Sequence, residues 1–194
     1  MRNNPRAVSS NDPDRRLREE MRERRPVYDG RLLHVFEDTV RLPEGREARR
    51  EVVEHPGAVA IVATAPDGRV VLVRQWRHAL RRALWEIPAG TRQPGEEPAA
   101  TARRELTEET GYTAARWREL GHAAVSPGYS SEEIWFFQAG ELTDGASSPD
   151  PDELLDVDLF SPADIARLAG DSEVDLKTIS GLALAGIRPD GADG

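Results

Sequence analysis

Apolar residues in this chain come in short bursts with two different periods, and the bursts outline its elements. Ala58 to Thr64, AVAIVAT, is apolar almost throughout, and a turn over Pro66 to Gly68 separates it from RVVLVRQW; the pair reads as two buried strands. LWEIP, LGHAAVS, EIWFFQAGEL and LLDVDLF follow as further strands. Between them, Pro98 to Thr110 has helical spacing. Pro98 suits the first turn, Ala99, Ala102 and Leu106 share a stripe suited to packing on a sheet, and Gly111 can end the helix in the left-handed conformation. Ser161-Pro162 starts a helix at ADIARLAG, and another begins near Asp175 and runs through LKTISGLALAG. Ahead of this core, RLLHVFEDTVRL and ARREVVEH alternate on either side of the turn-like Pro43 to Gly45, which predicts a small antiparallel extension. Met1 to Arg25 has almost no aliphatic periodicity and predicts a disordered arm that has room for a short charged helix at RRLREEMRERR. The residues after Arg188 read as a disordered tail.

Composition narrows the function classes. A chain of 194 residues suits one ordinary domain with extensions. A formal charge of −9 and a pI near 5.0 argue against general nucleic-acid binding, which needs a basic face. Without cysteine there are no disulfides and no thiolate metal sites. The polar N-terminus lacks an apolar signal core and no long apolar run follows, so the expectation is a soluble, cytoplasmic protein with no membrane partner. The four histidines are scattered and carry no expected catalytic role.

The candidate chemistry lies on the helix of Pro98 to Thr110. Glu105 and Glu109 are one turn apart on one face with Glu108 beside them, and like charges at this spacing weaken a helix by roughly a few tenths of a kcal/mol per pair. A hard divalent cation removes that repulsion, and Mg²⁺ is commonly held between a few carboxylates and substrate phosphates. A backbone carbonyl at the Ala89–Gly90 bend is placed to join the carboxylates. Arg77, Arg81 and Arg82 form a basic patch in an acidic protein, which marks the phosphate side. The polar loop Pro127 to Glu133 follows an apolar run, where specificity loops commonly sit.

Gly90, Glu96, Arg104, Glu105, Leu106, Glu108, Glu109, Gly111 and Tyr112 match every constrained position of Gly-x5-Glu-x7-Arg-Glu-hydrophobic-x-Glu-Glu-x-Gly-hydrophobic. By this segment the chain resembles the Nudix hydrolases. REVVEHPGAVAIVA, VRQWR, LWEIPAG, SPGYSSE and DLKTISGLALA look like segments of the ADP-ribose pyrophosphatase subgroup, and Pro127, sixteen residues after Gly111, is placed as in that subgroup. Trp76 stands where the subgroup usually has Tyr.

The resemblance implies an α/β fold, an α/β/α sandwich around a mixed sheet, with an N-terminal antiparallel strand extension that exchanges in a homodimer. It divides the chain into an arm at 1–25, the strand extension at 26–56, the hydrolase domain at 57–188 and a tail at 189–194. It implies Mg²⁺, with Mn²⁺ as the second cation, bound by the Ala89 carbonyl, Glu105 and Glu109 with help from Glu108. Arg104 would orient the glutamates, and Glu96 would be a supporting group. The implied catalytic base is Glu153, with Asp152 as the second choice. Arg77 would hold a phosphate, Arg50 would reach the ligand from its own or a partner subunit, Glu86 would lie near the nucleoside or terminal ribose, and Pro127 and Gly128 belong to the substrate loop. The implied reaction splits ADP-ribose into AMP and ribose 5-phosphate. Another nucleoside diphosphate sugar, such as GDP-mannose, is the nearest rival. A non-catalytic nucleotide-sensing Nudix domain is the other class, but such domains tend to lose box acids, and here all are present.

Overall fold

Charge pairing, rather than apolar alternation, holds the first strands together. In the computed structural model, which describes residues 13–148 and 154–188, β1 (Glu20–Asp29), β2 (His34–Arg41) and β3 (Glu47–Glu54) form an antiparallel sheet in that order. Arg24 faces Asp38 and Arg25 faces Glu37 across the β1–β2 ladder. Arg24 forks onto Asp38 at 2.8 and 2.7 Å, also bonds Glu54, and stands over the Phe36 ring. Asp38 is only 5% exposed, so this pair is shielded, whereas β1 itself is exposed along its length. These pairs correct the reading of Met1 to Arg25 as an arm. Residues Glu20 to Arg25 are strand, and cross-strand ion pairs hold them where the apolar pattern gives no signal. A single 3-10 turn, Pro13–Arg16, stands in place of the charged helix. The rest of the expected arm, residues 1–12, and the tail at 189–194 lie outside the described residues.

Contacts divide the chain into two units, and the loop Ser126–Ser131 belongs with this first sheet. Val53 donates its N–H to the Tyr129 carbonyl at 2.7 Å and accepts from the Ser131 N–H at 3.0 Å, while the His55 N–H reaches Ser131 Oγ at 3.0 Å. Pro127 and Gly128 are thereby carried on a loop tied to the end of β3.

The second unit is built around β4 (Ala58–Ala63), whose six residues are all buried. Successive side chains point to opposite faces, so a strand buried at every position needs cover on both sides. On one side Val59, Ile61 and Ala63 join Val71, Phe137 and Ala139 under Ala102 and Leu106. On the other, Ala58, Ala60 and Val62 join Leu72, Ile87 and Phe136 under Ile165, Leu168 and Leu182. The other strands of this unit are β5 (Val70–Arg77), β6 (Arg82–Glu86), β7 (Ala89–Thr91), β8 (Thr113–Ala124), β9 (Glu133–Thr143) and β10 (Leu155–Phe160). They are arranged as β7-β4-β9-β8 and β10-β5-β6. β4 runs parallel to β9 and antiparallel to β7, so the larger sheet is mixed. The covering helices are α1 (Pro98–Thr110) on the first face and α2 (Pro162–Gly170) and α3 (Leu176–Leu184) on the second. This is the expected mixed-sheet α/β architecture with three helices.

Local chemistry sets each helix. α1 starts at Pro98 without a side-chain cap and stops at Gly111, whose φ of 77° is left-handed and whose N–H returns to the Thr107 carbonyl at 2.9 Å. Ser161 and Asp175 cap α2 and α3 through their side chains. Ala99, grouped with Ala102 and Leu106 on the packing stripe, is exposed instead, and Thr101 is buried in this first turn. Among the described residues, no helix is long and apolar enough to cross a membrane.

Candidate active site

β7 is short, and it begins at the bend where LWEIP gives way to the acidic segment. Gly90 is its central residue, and the Glu105 carboxylate of α1 lies directly on its Cα. A Cβ built at Gly90 would stand 2.0 Å from the Glu105 carboxyl carbon. The neighbouring Ala89 N–H donates to Glu109 Oε2 at 3.0 Å, and Glu109 is only 5% exposed. Two acids from one face of α1 thus converge on two successive residues of one strand. The missing side chain of Gly90 makes the approach possible.

Arg104 organises the remaining acids. Its Nε and Nη2 fork onto Glu96 at 3.0 and 3.1 Å, while Nη1 lies between Glu105 at 2.8 Å and Glu108 at 2.7 Å. The hydrogen bonds from Arg104 pull the Glu96 carboxyl down to about 2, with the Gln93 N–H adding to the effect against a desolvation cost. The same partners hold the Arg104 guanidinium above its ordinary value, Glu96 first among them. Arg92 fixes the loop before α1 by donating to the Glu96 carbonyl at 2.6 Å while its guanidinium stands over the Trp135 ring.

Among the described residues, no three His, Asp or Glu side chains form a closed metal cage. The donor set nonetheless fits a hard divalent ion. It is all oxygen, and the Arg104 Nη1 already places positive charge between two of its carboxylates. Glu105, Glu108, Glu109 and the Ala89–Gly90 backbone are the groups that would hold such an ion.

A second charged cluster surrounds Arg77. Its Nε and Nη2 bond both oxygens of Glu86 at 2.6 and 2.5 Å. Glu86, expected beside the nucleoside or terminal ribose, is 2% exposed and also receives Lys177 Nζ. Lys177 bonds Asp175 at 2.6 Å, and the other oxygen of Asp175 accepts from the Thr178 N–H and hydroxyl. Burial pushes the Glu86 carboxyl up, but Arg77 and Lys177 outweigh it and leave the group below the ordinary carboxylate range. The Arg77 guanidinium is raised, chiefly by Glu86, and Asp175 and Glu109 add to the shift. The field of the acidic helix therefore reaches Arg77.

The other candidates are more dispersed. Arg81 and Arg82, at the β5–β6 turn, are exposed. In the first unit, Arg50 lies opposite Asp38 in the β2–β3 register, and its guanidinium is engaged by Glu19. Glu153 and Asp152 lie outside the described residues. The chain leading to them is anchored on the acidic helix, because the Ser148 N–H donates to the Glu108 carbonyl at 3.0 Å. Gly111 backs onto this segment, and a Cβ there would stand 2.5 Å from the Gly145 carbonyl oxygen. The sequence reading missed Lys177 and Asp175. Its one available signal was DLKT at a helix start, with Asp as the cap and a lysine two residues later.

Comparison with known proteins adds two family matches. Residues 54–180 match the NUDIX domain, and residues 19–53 match the nucleoside diphosphate sugar hydrolase N-terminal domain. The chain is 39% identical over 155 residues to an ADP-ribose pyrophosphatase of Bacillus subtilis, covering 78% of this chain and 84% of that protein. A GDP-mannose pyrophosphatase of Yersinia pestis is 30% identical, covering 80% and 85%. A crystal structure of an ADP compounds hydrolase superposes with a TM-score of 0.76 at 24% identity, over 86% of this chain and 91% of that one, which shows a shared fold.

The Arg104–Glu96 pair predicts an acid-sensitive term in stability. Folding lowers the Glu96 pKa from 4.5 to about 2, so its contribution is complete above 4.5 and is lost as pH falls through 2. Denaturant titrations of the wild type and Glu96→Gln should differ at neutral pH and converge across that window. A difference that is independent of pH would contradict the assigned pair.

Proposed function

Because the chain belongs to the Nudix family and is an ADP-ribose-pyrophosphatase-like pyrophosphohydrolase, we propose that it cleaves the pyrophosphate of ADP-ribose into AMP and ribose 5-phosphate, with Mg²⁺ as the working cation and Mn²⁺ as a substitute. The observation that carries the reading is the convergence of Glu105 and Glu109 on Ala89 and Gly90. Such an oxygen-rich edge suits a cation that also binds phosphate oxygens.

In this reading, Glu105, Glu109 and the Ala89 carbonyl hold the ion, with Glu108 assisting. When bound, the ion would neutralise charge on the two phosphates and stabilise the attacking and leaving oxygens. Arg104 keeps the acids in place by offsetting the repulsion between them. Arg77 presents its remaining edge to a phosphate, and Glu86 fixes that edge. Glu153 takes a proton from the attacking water. Its support is the acidic loop that leaves the Glu108 carbonyl at Ser148, five residues upstream. Arg50, Pro127 and Gly128 are assigned to substrate binding by resemblance. The same reading includes a homodimer through the N-terminal strands, supported by the uncovered Met21, Val27 and Tyr28 of β1.

GDP-mannose is the second reading, favoured by the GDP-mannose pyrophosphatase relative. Steady-state kinetics on both substrates with Mg²⁺ separates them. The expected result is a higher kcat/KM for ADP-ribose with AMP and ribose 5-phosphate as products, and comparable or faster GDP-mannose cleavage would overturn the choice. For the base, Glu153→Gln should lower kcat by ~10²-fold or more while metal binding persists. An unchanged rate would move the role to Asp152 or a box glutamate.

A further inference from the structure

Of the 26 Lys and Arg residues in this chain, Lys177 is the only lysine. It is also one of the least accessible cations, with a side chain 14% exposed. Every other cationic side chain in the sequence is arginine, and the one lysine ammonium lies against the buried carboxylate of Glu86. A compact point charge fits a small space between two carboxylates where a planar guanidinium would need a wider slot.

The fold brings Lys177 there deliberately from a distant part of the sequence. Trp85, next to Glu86 on β6, forms a parallel bridge with Val174, and its N–H donates to the Glu173 carbonyl at 2.8 Å. The start of α3 is therefore fixed against the end of β6. Thr178, one residue past Lys177, uses its hydroxyl oxygen to accept the Ile87 N–H at 3.0 Å. Asp175 then caps α3 with one oxygen and holds Lys177 with the other.

We propose that Lys177 is a positioning residue for substrate binding: by sharing Glu86 with Arg77, it leaves the Arg77 guanidinium oriented by Glu86 and still able to attract a substrate phosphate. The inference rests on the reading of Arg77 as the phosphate-binding arginine. The charges explain the need. Arg77 and Lys177 balance Glu86 and Asp175 in the native cluster. Without Lys177 the cluster carries one excess negative charge beside Arg77. Glu86 would still hold Nε and Nη2 of Arg77, but its full charge would then oppose a phosphate approaching Nη1. The Arg77 side chain is 40% exposed, whereas its carboxylate partner is 2% exposed. Lys177 has no need to touch the substrate itself.

The test is a charge-balance series measured with whichever nucleoside diphosphate sugar the wild type hydrolyses. Lys177→Met should raise KM about tenfold with kcat nearly unchanged, the pattern of lost ground-state binding. Adding Asp175→Asn to Lys177→Met removes the excess negative charge, keeps the cap of α3 and leaves the Glu86 fork on Arg77 intact, and should bring KM most of the way back. In an Arg77→Met background, where KM is already raised, Lys177→Met should add nothing. If Lys177→Met leaves KM unchanged, the inference is overturned. It is also overturned if Asp175→Asn does not rescue the variant, or if the Arg77 and Lys177 effects multiply, since these results describe a structural lysine. An unchanged KM in Arg77→Met alone refutes the phosphate reading of Arg77 and the role of Lys177 with it. Failure of the wild type to hydrolyse either nucleotide sugar refutes the functional reading instead. Should Lys177→Met fail to fold, the charge-balanced Lys177→Met/Asp175→Asn protein still decides the matter: a KM near that of the wild type supports the inference and a KM as high as in Arg77→Met overturns it.

Discussion

The structure depends on the contact between the Glu105 carboxylate and the bare Cα of Gly90. A helix presenting three acids in two turns is electrostatically unfavourable, and burying one of them makes it worse. The chain resolves this by bringing α1 so close to β7 that Glu109 accepts a backbone N–H and Glu105 rests on the strand itself. Arg104 then takes the charge that remains, with Glu96 reaching across to complete its hydrogen bonds. Removing any one of these groups leaves another without its partner. The cluster therefore behaves as a unit and its contributions should not add independently.

Ordinary packing makes that arrangement rigid. β4 is buried on both faces, with α1 over one and α2 and α3 over the other. Leu106 is fully buried between Glu105 and Thr107, so the residue that docks the helix is adjacent to the residue that docks on Gly90. On the opposite face, α3 is tied to β6 by backbone and by Thr178, which sets Lys177 and Glu86 behind Arg77. Two charged groups of opposite sign, an acidic face and an arginine edge, are thus steadied by helices packed on opposite faces of β4. Pyrophosphate chemistry calls for both, since it needs charge neutralised at positions fixed before the substrate arrives.

Much of this was legible from residue order. Pro98 and Gly111 bound α1 at the residues the sequence indicates, because proline and glycine act through local backbone geometry. The unbroken apolar run at Ala58 gave a strand covered on both faces for a similarly local reason. Glu20 to Arg25 was not legible, since its strand is held by charges whose partners, Asp38, Glu37 and Glu54, are 12 to 30 residues away. Lys177 was hidden for the same reason, being 91 residues from Glu86. Ala99 shows the opposite failure: its helical phase suits burial, but it is exposed while Thr101 and Ala102 are buried. Fixed spacing within one helix exposed the acidic cluster, while the pairs that orient its surroundings form only through the fold.

The contact at Gly90 is open to direct test through Gly90→Ala, a change that adds one methyl group and no charge. The methyl would occupy the space of the Glu105 carboxylate, forcing that acid off β7 while the sheet and helices remain. Turnover of whichever nucleoside diphosphate sugar the wild type hydrolyses should fall by ~10²-fold or more, as expected when reacting groups are displaced by about an ångström, with the far-UV circular dichroism of the native protein retained. Wild-type turnover in Gly90→Ala would contradict the account, since the position of Glu105 against the strand could not then be what assembles the site.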